Sequence, residues 1–231
     1  MREIVLDTET TGLDPLDGHR LIEIGCVELV NRIPSGQTFH AYFNPERSVP
    51  AEAFAVHGLS EEFLKDKFFF AELADDLIAF LGDAPLVIHN AAFDLAFLNA
   101  ELERASKPLI ARERMVDTLL IARRKHPGGS NRLDDLCLRY SIDNSRRTRH
   151  GALLDAELLA EVYVELIGAR QAQLVLSQAS TSGQPVGEAI IDRARPAPLP
   201  PSITAEERAA HRAFIATLGE NVIWRDYISL D

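Results

Sequence analysis

The stretch Ile4-Val5-Leu6-Asp7-Thr8-Glu9 begins as a buried β-strand and ends in two carboxylates. Alternate residues of a strand face the same side, so Asp7 and Glu9 project together from the strand end. Two like charges side by side repel each other unless a cation or hydrogen-bond donors lie between them. Acid pairs also occur at strand ends by chance, and a turn follows at Thr11-Gly12. The stretch therefore predicts a sheet strand whose two carboxylates need a partner.

The composition is that of an ordinary globular protein, with 46% hydrophobic and 26% charged residues among 231. No window holds about 18 uninterrupted apolar residues, and the first residues lack a signal-peptide pattern, so we expect a cytoplasmic protein. Cys26 and Cys137 lie in apolar segments and are expected to be small core residues. The net charge of -11 weighs against nucleic-acid binding by general electrostatics alone. If the protein acts on nucleic acid, something else must hold it there.

Apolar periodicity predicts an α/β domain over about residues 1–170. Strands are expected at Glu3–Asp7, Leu21–Val30, Thr38–Phe43 and Pro85–His89, joined by short connections at Gly12–Gly18 and Pro34–Gly36. Helical spacing runs from Pro50 to a stop at Gly82, and further helices are expected near Ala92–Arg104, Thr118–Arg124, Leu133–Arg139 and Leu153–Ile167. Strands followed by strand-helix alternation predict a mixed sheet with helices on both faces.

Two more acids lie on the apolar faces of predicted helices. Asp94 has the helical spacing of Phe97, Leu98 and Leu102, and the alternative interpretation is an acid that stabilises the first helical turn. Asp155 aligns with the apolar stripe Leu158, Leu159, Val162 and Leu166. An unpaired buried carboxylate costs several kcal/mol, so each acid needs a cation or hydrogen-bond donors. His150 lies five residues before Asp155, outside that stripe, and is a candidate base.

Four acids from three separated segments form the ligand set of a hard cation. Asp7, Glu9, Asp94 and Asp155 all lie at element ends or on inward faces. Oxygen ligands of this kind select Mg²⁺ or Mn²⁺, and no Cys/His cluster indicates zinc. The sequence also lacks the glycine-rich motifs that cradle nucleotide phosphates.

The motifs Asp7-x-Glu9, Asp94 and His150-x-x-x-x-Asp155 resemble those of the DEDD 3′-5′ exonucleases, in the subclass with histidine in the third motif. The sequence around these motifs, including Val56-His57-Gly58-Leu59 and residues 142–155, resembles that of proofreading members of the family. The resemblance covers about residues 1–170 closely and the remainder loosely. It implies a ribonuclease H-like fold with a mixed five-stranded sheet flanked by helices and a flexible C-terminal tail.

The resemblance also implies two Mg²⁺ or Mn²⁺ ions and a role for each site residue. Asp7 is expected to bridge both ions, Glu9 and Asp155 to complete the first site, and Asp94 to hold the second. His150 is expected to take a proton from the attacking water, since histidine titrates near neutral pH. The implied substrate-binding residues are Asp7, Glu9, Glu52, His57 and Asp155, with Thr10–Leu13 along the same pocket. Arg146, Arg147 and Arg149 are expected either to contact DNA phosphates or to form a solvated basic loop.

The C-terminal part of the chain changes character near Gly168. Residues 171–203 are expected to be a flexible linker, because residues 177–202 are rich in Ser, Gln, Ala, Gly and Pro. Thr204-Ala205-Glu206-Glu207 fits a helix-capping box, and Phe214 and Leu218 belong to the apolar side of the helix that follows. A short amphipathic segment on a tether is expected to dock on another protein, and the alternative is that it folds back onto the main domain.

The resemblance implies several partners. The substrate is a DNA 3′ end, residues 204–231 anchor the polymerase subunit, and Gln171–Leu176 resembles motifs that bind the sliding clamp. A small accessory subunit is a further expected partner, and no membrane partner is expected. Two alternatives stay open: an exonuclease of the same superfamily that trims RNA, and a scaffold without catalytic activity that stabilises a polymerase.

Overall fold

The computed structural model describes residues 1–147, 149–169 and 203–218. The chain divides into two compact units, Met1–Val175 and Leu176–Asp231. The predicted clamp-binding motif Gln171–Leu176 and nearly all of the predicted linker lie outside the described residues. None of the helices in the described ranges is long and apolar enough to cross a membrane.

The described part of the first unit contains one mixed sheet of five strands. The strands are β1 (Arg2–Thr10), β2 (Leu21–Val30), β3 (Ile33–Tyr42), β4 (Leu86–Ile88) and β5 (Met115–Asp117). Their order across the sheet is β3-β2-β1-β4-β5. The first three strands pair antiparallel, whereas β1 pairs parallel with β4 and β4 with β5. The predicted mixed five-stranded sheet is confirmed, with β1 at its centre.

The helices of the described residues follow the predicted alternation. They are α1 (Ala51–His57), α2 (Glu61–Leu64), α3 (Phe70–Leu81), α4 (Ala91–Arg104), α5 (Thr118–Lys125), α6 (Leu133–Tyr140), α7 (Ala152–Leu166) and α8 (Ala205–Thr217). Helix α8 belongs to the second unit. Its Thr204 hydroxyl accepts the Glu207 N–H at 3.2 Å and the Glu207 carboxylate accepts the Thr204 N–H at 2.8 Å, so the predicted capping box is present.

The central strand is apolar on both faces because helices cover both sides of the sheet. Ile4 and Leu6 pack with the buried side chains of α3 and α4. Val5, on the opposite face, packs with those of α6 and α7. Strands buried on both faces read as continuous apolar runs, which explains the run at residues 4–6. The two cysteines are buried in these two clusters and free, as expected.

Helix α7 lies directly against β2 at the position of a glycine. Gly25 pairs with Asp7 of β1, and a Cβ atom at Gly25 would lie 2.2 Å from the backbone nitrogen of Leu153. No L side chain fits in this space, so glycine permits the close approach of helix and sheet. The contact brings the first turn of α7, which carries Asp155, next to the end of β1.

Two local predictions about the sheet were wrong. The β2–β3 turn lies at Asn31-Arg32, both with positive φ (52° and 67°), and not at Pro34–Gly36. Those residues instead belong to β3, the edge strand of the sheet, where proline is tolerated because one side of the strand needs no hydrogen-bond donor. The short strand β5 was not located from the sequence, since three residues carry too little periodicity.

Candidate metal centre

The end of β1, the loop before α7 and the first turn of α7 bring Glu9, His150 and Asp155 together. Asp7 is half-buried and Glu9 is buried, and both side chains project from the same face of β1 as Val5, which α7 covers. A carboxylate oxygen of Glu9, a ring nitrogen of His150 and a carboxylate oxygen of Asp155 lie within 4.8 Å of one another. These three residues meet the distance requirement for ligands of one ion.

Asp94 reaches the same strand end from the opposite layer of helices. Its Oδ1 accepts a hydrogen bond of 2.7 Å from the hydroxyl of Thr8, which lies between Asp7 and Glu9 on the other face of β1. Helix α4 begins directly after Asn90, whose φ of 68° turns the chain sharply at the end of β4. Asp94 is 4% exposed. The expectation that it faces the sheet is therefore confirmed, and its charge acts on Asp7.

Arg147 is the cation that the carboxylate cluster contacts. Its Nε and one terminal nitrogen donate to the two oxygens of Asp155, each at 2.6 Å, and its other terminal nitrogen lies 2.6 Å from Asp134. The Arg147 side chain is only 7% exposed. This bidentate pair satisfies the buried carboxylate of Asp155, which is otherwise a costly group in the interior.

His150 lies on the loop before α7, as the sequence indicated. Its side chain is 48% exposed, and its Nδ1 lies 3.4 Å from an oxygen of Asp155 and 2.9 Å from a terminal nitrogen of Arg147. The backbone N–H of His150 donates to the carbonyl of Val56 at 3.3 Å. The ring thus lies at the mouth of the carboxylate cluster and is accessible to a water molecule.

Burial and mutual repulsion raise the pKa values of three of the carboxyl groups. Burial is the largest cause for each of them, and the charges of the neighbouring acids add to it. The pKa of Asp7 lies well above its usual range, that of Glu9 is raised to about 8 and that of Asp94 to about 7. Burial also acts to raise the pKa of Asp155, but its hydrogen bonds from Arg147 outweigh this and lower it.

The donor set fits divalent cations. Arg147 carries one positive charge, whereas Asp7, Glu9, Asp94 and Asp155 carry up to four negative charges. Their raised pKa values show that three of these carboxyl groups lack sufficient neutralising charge from the protein. Clustered carboxylate oxygens are the ligands that Mg²⁺, Mn²⁺ and Ca²⁺ prefer.

The residues that the resemblance assigns to substrate binding lie on α1 and on the segment after β1. Glu52 is exposed in the first turn of α1, and His57 is buried in the last turn. The His57 Nδ1 accepts the N–H of Leu59 at 2.9 Å, and its buried Nε2 has no partner among the described residues. In the segment Thr10–Leu13, Leu13 is 85% exposed. The contact of Val56 with His150 places the end of α1 beside the carboxylate cluster.

The arginines before His150 have three different environments. The expected phosphate contact does not fit Arg147, whose guanidinium is held by carboxylates. Arg146 is 76% exposed, with a terminal nitrogen 3.8 Å from Glu157, and the guanidinium of Arg149 lies over the ring of Phe54.

Sequence reasoning also missed Thr8 as the donor to Asp94, although its position between two acids on a strand was a usable signal.

Comparison with known proteins shows the family and the fold of this chain. The sequence model of the RNase_T exonuclease family matches residues 4–163, and the chain belongs to this family. Its fold is similar to that of exonuclease X in complex with 5′ overhanging duplex DNA, with a TM-score of 0.56 and 24% identity over 72% of this chain and 91% of that one. The nuclease domain of 3′hExo, a DEDDh family member bound to rAMP, has a TM-score of 0.59 and 18% identity over 73% of this chain and 92% of that domain.

Closer relatives are known from sequence. The DNA polymerase III subunit epsilon of Rickettsia felis is 47% identical over 94% of this chain and 97% of the relative. The DNA polymerase III subunit epsilon of Escherichia coli is 45% identical over 97% of each chain. The similarity to these relatives therefore extends beyond the exonuclease domain into the C-terminal unit.

We expect the stability of the metal-free protein to fall as the pH rises from about 5 to about 8. Asp7, Glu9 and Asp94 have higher pKa values folded than unfolded, so between its unfolded and its folded pKa each group is protonated in the folded chain and ionised in the unfolded chain. Unfolding then releases protons, and a rising pH favours it. The measurement is the melting temperature in EDTA and in Mg²⁺, and Mg²⁺ should raise it more at the upper end of the window.

The variant Glu9→Gln isolates this effect. It should flatten the pH dependence in EDTA, because one of the three carboxyl groups with a raised pKa is removed, whereas Asp83→Asn, at an exposed acid, should follow the wild type. A wild-type melting temperature in EDTA that stays constant or increases over the window, with no change in Glu9→Gln, would contradict the raised pKa values.

Arg147 and Arg146 offer a matched pair for testing the buried ion pair. Arg147→Leu leaves Asp155 buried without its bidentate partner, so we expect a loss of about 3 kcal/mol in the free energy of unfolding. Arg146→Leu removes an exposed charge and should change it by less than about 0.5 kcal/mol. Urea unfolding in EDTA measures both values, and equal losses in the two variants would show that Arg147 does not stabilise the site.

Proposed function

We propose that this chain is the proofreading 3′-5′ exonuclease of a bacterial DNA polymerase III. It hydrolyses the last phosphodiester of a mispaired primer strand and releases a nucleoside 5′-monophosphate. The observation that carries the proposal is the meeting of Glu9, His150 and Asp155 at the end of β1, with Asp94 approaching from the other layer. The relatives named DNA polymerase III subunit epsilon support DNA replication as its biological setting, and the cytoplasm is its proposed location.

The carboxylates would hold two Mg²⁺ or Mn²⁺ ions. The charges of Asp94, Glu9 and Asp155 all act on Asp7, so Asp7 would serve both ions, Glu9 and Asp155 would complete the first site, and Asp94 would hold the second. When bound, the two ions stabilise the negative charge that develops on the attacking and leaving oxygens of the phosphodiester. Arg147 keeps Asp155 ionised and in a fixed orientation by two hydrogen bonds, so that this ligand is preorganised.

His150 would act as the general base. Its ring is exposed and lies beside Asp155, so a water molecule can reach it. The hydrogen bond from its backbone N–H to Val56 fixes the loop on which it lies. Removal of a proton by a positioned side chain contributes roughly 10²- to 10⁴-fold to a rate.

The end of α1 would bind the terminal nucleotide. His57 accepts a hydrogen bond at Nδ1, so its Nε2 carries the hydrogen and is a buried donor without a partner in the described part of the chain. An oxygen of the terminal nucleotide would satisfy this donor. Glu52, on the first turn of the same helix, and Thr10–Leu13 would line the pocket around it.

The second unit would connect the nuclease to its polymerase. The side chain of Phe214 on α8 is 61% exposed, and that of Leu218, directly after the helix, is 47% exposed. Apolar surface is therefore available to a partner. The proposed polymerase contact spans residues 204–231, and the proposed clamp contact is Gln171–Leu176. A small accessory subunit is a further proposed partner. Such contacts explain how a chain with a net charge of -11 stays at a primer end.

Asp7→Ala and His150→Ala test the proposed chemistry. Both variants should fold normally, but Asp7→Ala should release no mononucleotides above background, and His150→Ala should be slower by about 10²-fold or more. The assay is Mg²⁺-dependent release of 5′-mononucleotides from a 3′-mismatched DNA primer, with Asp83→Ala as the control at an exposed acid.

The same assay separates the alternative functions. Wild-type rates in either variant would contradict the role assigned to that residue. Faster release from a matched RNA oligonucleotide than from DNA would favour the RNA-trimming alternative. No release from any substrate by the wild type would favour the scaffold without catalytic activity.

Removal of residues 204–231 tests the proposed polymerase contact. The truncated chain should no longer co-purify with the polymerase subunit of DNA polymerase III, while its hydrolysis of a primer stays at the wild-type rate. In the full chain, Phe214→Ser should weaken the complex and Arg212→Ser should not, since only the former removes exposed apolar surface. A truncated chain that still binds the polymerase would place the contact elsewhere.

A further inference from the structure

A cleft of about 800 Å³ begins at the carboxylate cluster and extends away from α1. At one end it is lined by Asp7, Asp155, Arg147 and His150. From there it continues along α5 and the loop that joins α5 to α6. This part of its wall includes Arg123, His126 and Arg132. The cleft is therefore longer than the metal centre and changes from acidic to basic along its length.

The basic part of the wall comes from an unusual segment of the sequence. Residues 119–133 contain Arg123, Arg124, Lys125 and Arg132 but no Asp or Glu, in a chain with 35 acids. Lys125 points away from the cleft, because its Nζ donates to the carbonyl oxygens of Glu165 and Leu166. Arg123 and Arg132 remain as exposed guanidinium groups on the wall.

These two arginines have no carboxylate partner in the described ranges. No salt bridge within 4.0 Å involves Arg123 or Arg132, whereas Arg147 at the inner end is fully engaged. Burial lowers the pKa of His126, and the positive charges of Arg139 and Lys125 lower it further. The effect of these two charges shows that the electrostatic potential at His126 is positive. An anionic ligand would meet little competition on this wall.

The loop between α5 and α6 leaves room for a chain to approach. Gly128 has a φ of 78°, and a Cβ atom at this position would meet no atom within 4 Å. Glycine adopts this positive φ without strain, and its lack of a side chain leaves the space beside the two arginines open. A phosphodiester chain carries the negative charge that the two arginines of this wall would bind.

We propose that Arg123 and Arg132 bind phosphate groups of the degraded DNA strand on the 5′ side of the bond that is cut. This inference rests on the proposed exonuclease function. The pocket proposed for the terminal nucleotide lies on the α1 side of His150, where Val56 contacts its backbone. A strand that crosses the carboxylate cluster from that pocket continues into the cleft, so its preceding phosphates reach the basic wall.

The test compares two substrates in the full-length chain. A single-stranded DNA oligonucleotide has phosphates on the 5′ side of the cut, whereas the p-nitrophenyl ester of thymidine 5′-monophosphate has none. For Arg123→Ser/Arg132→Ser we expect the KM for the oligonucleotide to rise about tenfold. The slope of log KM against log salt should fall by about 1.4, since each contact with single-stranded nucleic acid contributes roughly 0.7. Hydrolysis of the ester should keep its wild-type kcat/KM.

A matched control removes the same charge outside the cleft. Arg112→Ser/Arg124→Ser replaces two exposed arginines that do not line it, one of them on α5 itself. This double variant should keep the wild-type KM and salt slope. An equal effect of both double variants would show that net charge is responsible and would overturn the inference.

The remaining outcomes also separate this inference from the proposed function. An unchanged KM in Arg123→Ser/Arg132→Ser, with normal hydrolysis of the ester, overturns the inference alone. A raised KM for a primer-template duplex but not for the single strand assigns the arginines to the other strand and likewise overturns it. Failure of the wild type to hydrolyse either substrate overturns the proposed function itself.

Discussion

Repulsion between carboxylates at the end of the central strand is the constraint on which the site depends. Burial is the largest cause that raises the pKa values of Asp7, Glu9 and Asp94, and the charges of Asp94 and Asp155 act on both Asp7 and Glu9, so the fold stores unfavourable electrostatic energy at this point. The sheet can carry this cost because β1 is packed on both faces by apolar helices. The charge of Arg147 acts against this repulsion at Asp7, Glu9 and Asp155, but it outweighs burial only at Asp155. A site of this kind is poised to bind cations, since their binding removes the repulsion.

The architecture brings the acids together from two layers. Helix α7 lies so close to β2 at Gly25 that its first turn reaches the strand end, and Asp155 follows from that contact. Helix α4 begins directly after β4 and offers Asp94 from the other side, tied to Thr8. Placing ligands on rigid elements fixes their geometry before substrate arrives. Unlike the four acids, the proposed base His150 lies on a loop, which suits a group that must exchange a proton with water.

The sequence predicted those parts of the fold and site that follow from periodicity. The alternation of β1 places Asp7 and Glu9 on one side, and the apolar stripe of α7 made Asp155 a buried acid. The inward position of Arg147 was not predictable, because it lies in an irregular loop whose direction depends on contacts with α6 and α7. The β2–β3 turn was misplaced because Asn31 and Arg32 adopt positive φ without a glycine. The roles of the site residues came from family resemblance, since spacing alone does not distinguish ligand from base.

In this acidic protein, one cleft combines carboxylates at the end of β1 with a basic wall farther along. The proposed function requires that the carboxylates at the end of β1 bind divalent ions. A Mn²⁺ titration followed by electron paramagnetic resonance at neutral pH, with wild type and Asp7→Asn compared, tests this requirement. We expect two bound Mn²⁺ ions per wild-type chain and a loss of this binding in the variant. Equal binding by the two proteins, or none by the wild type, would contradict it.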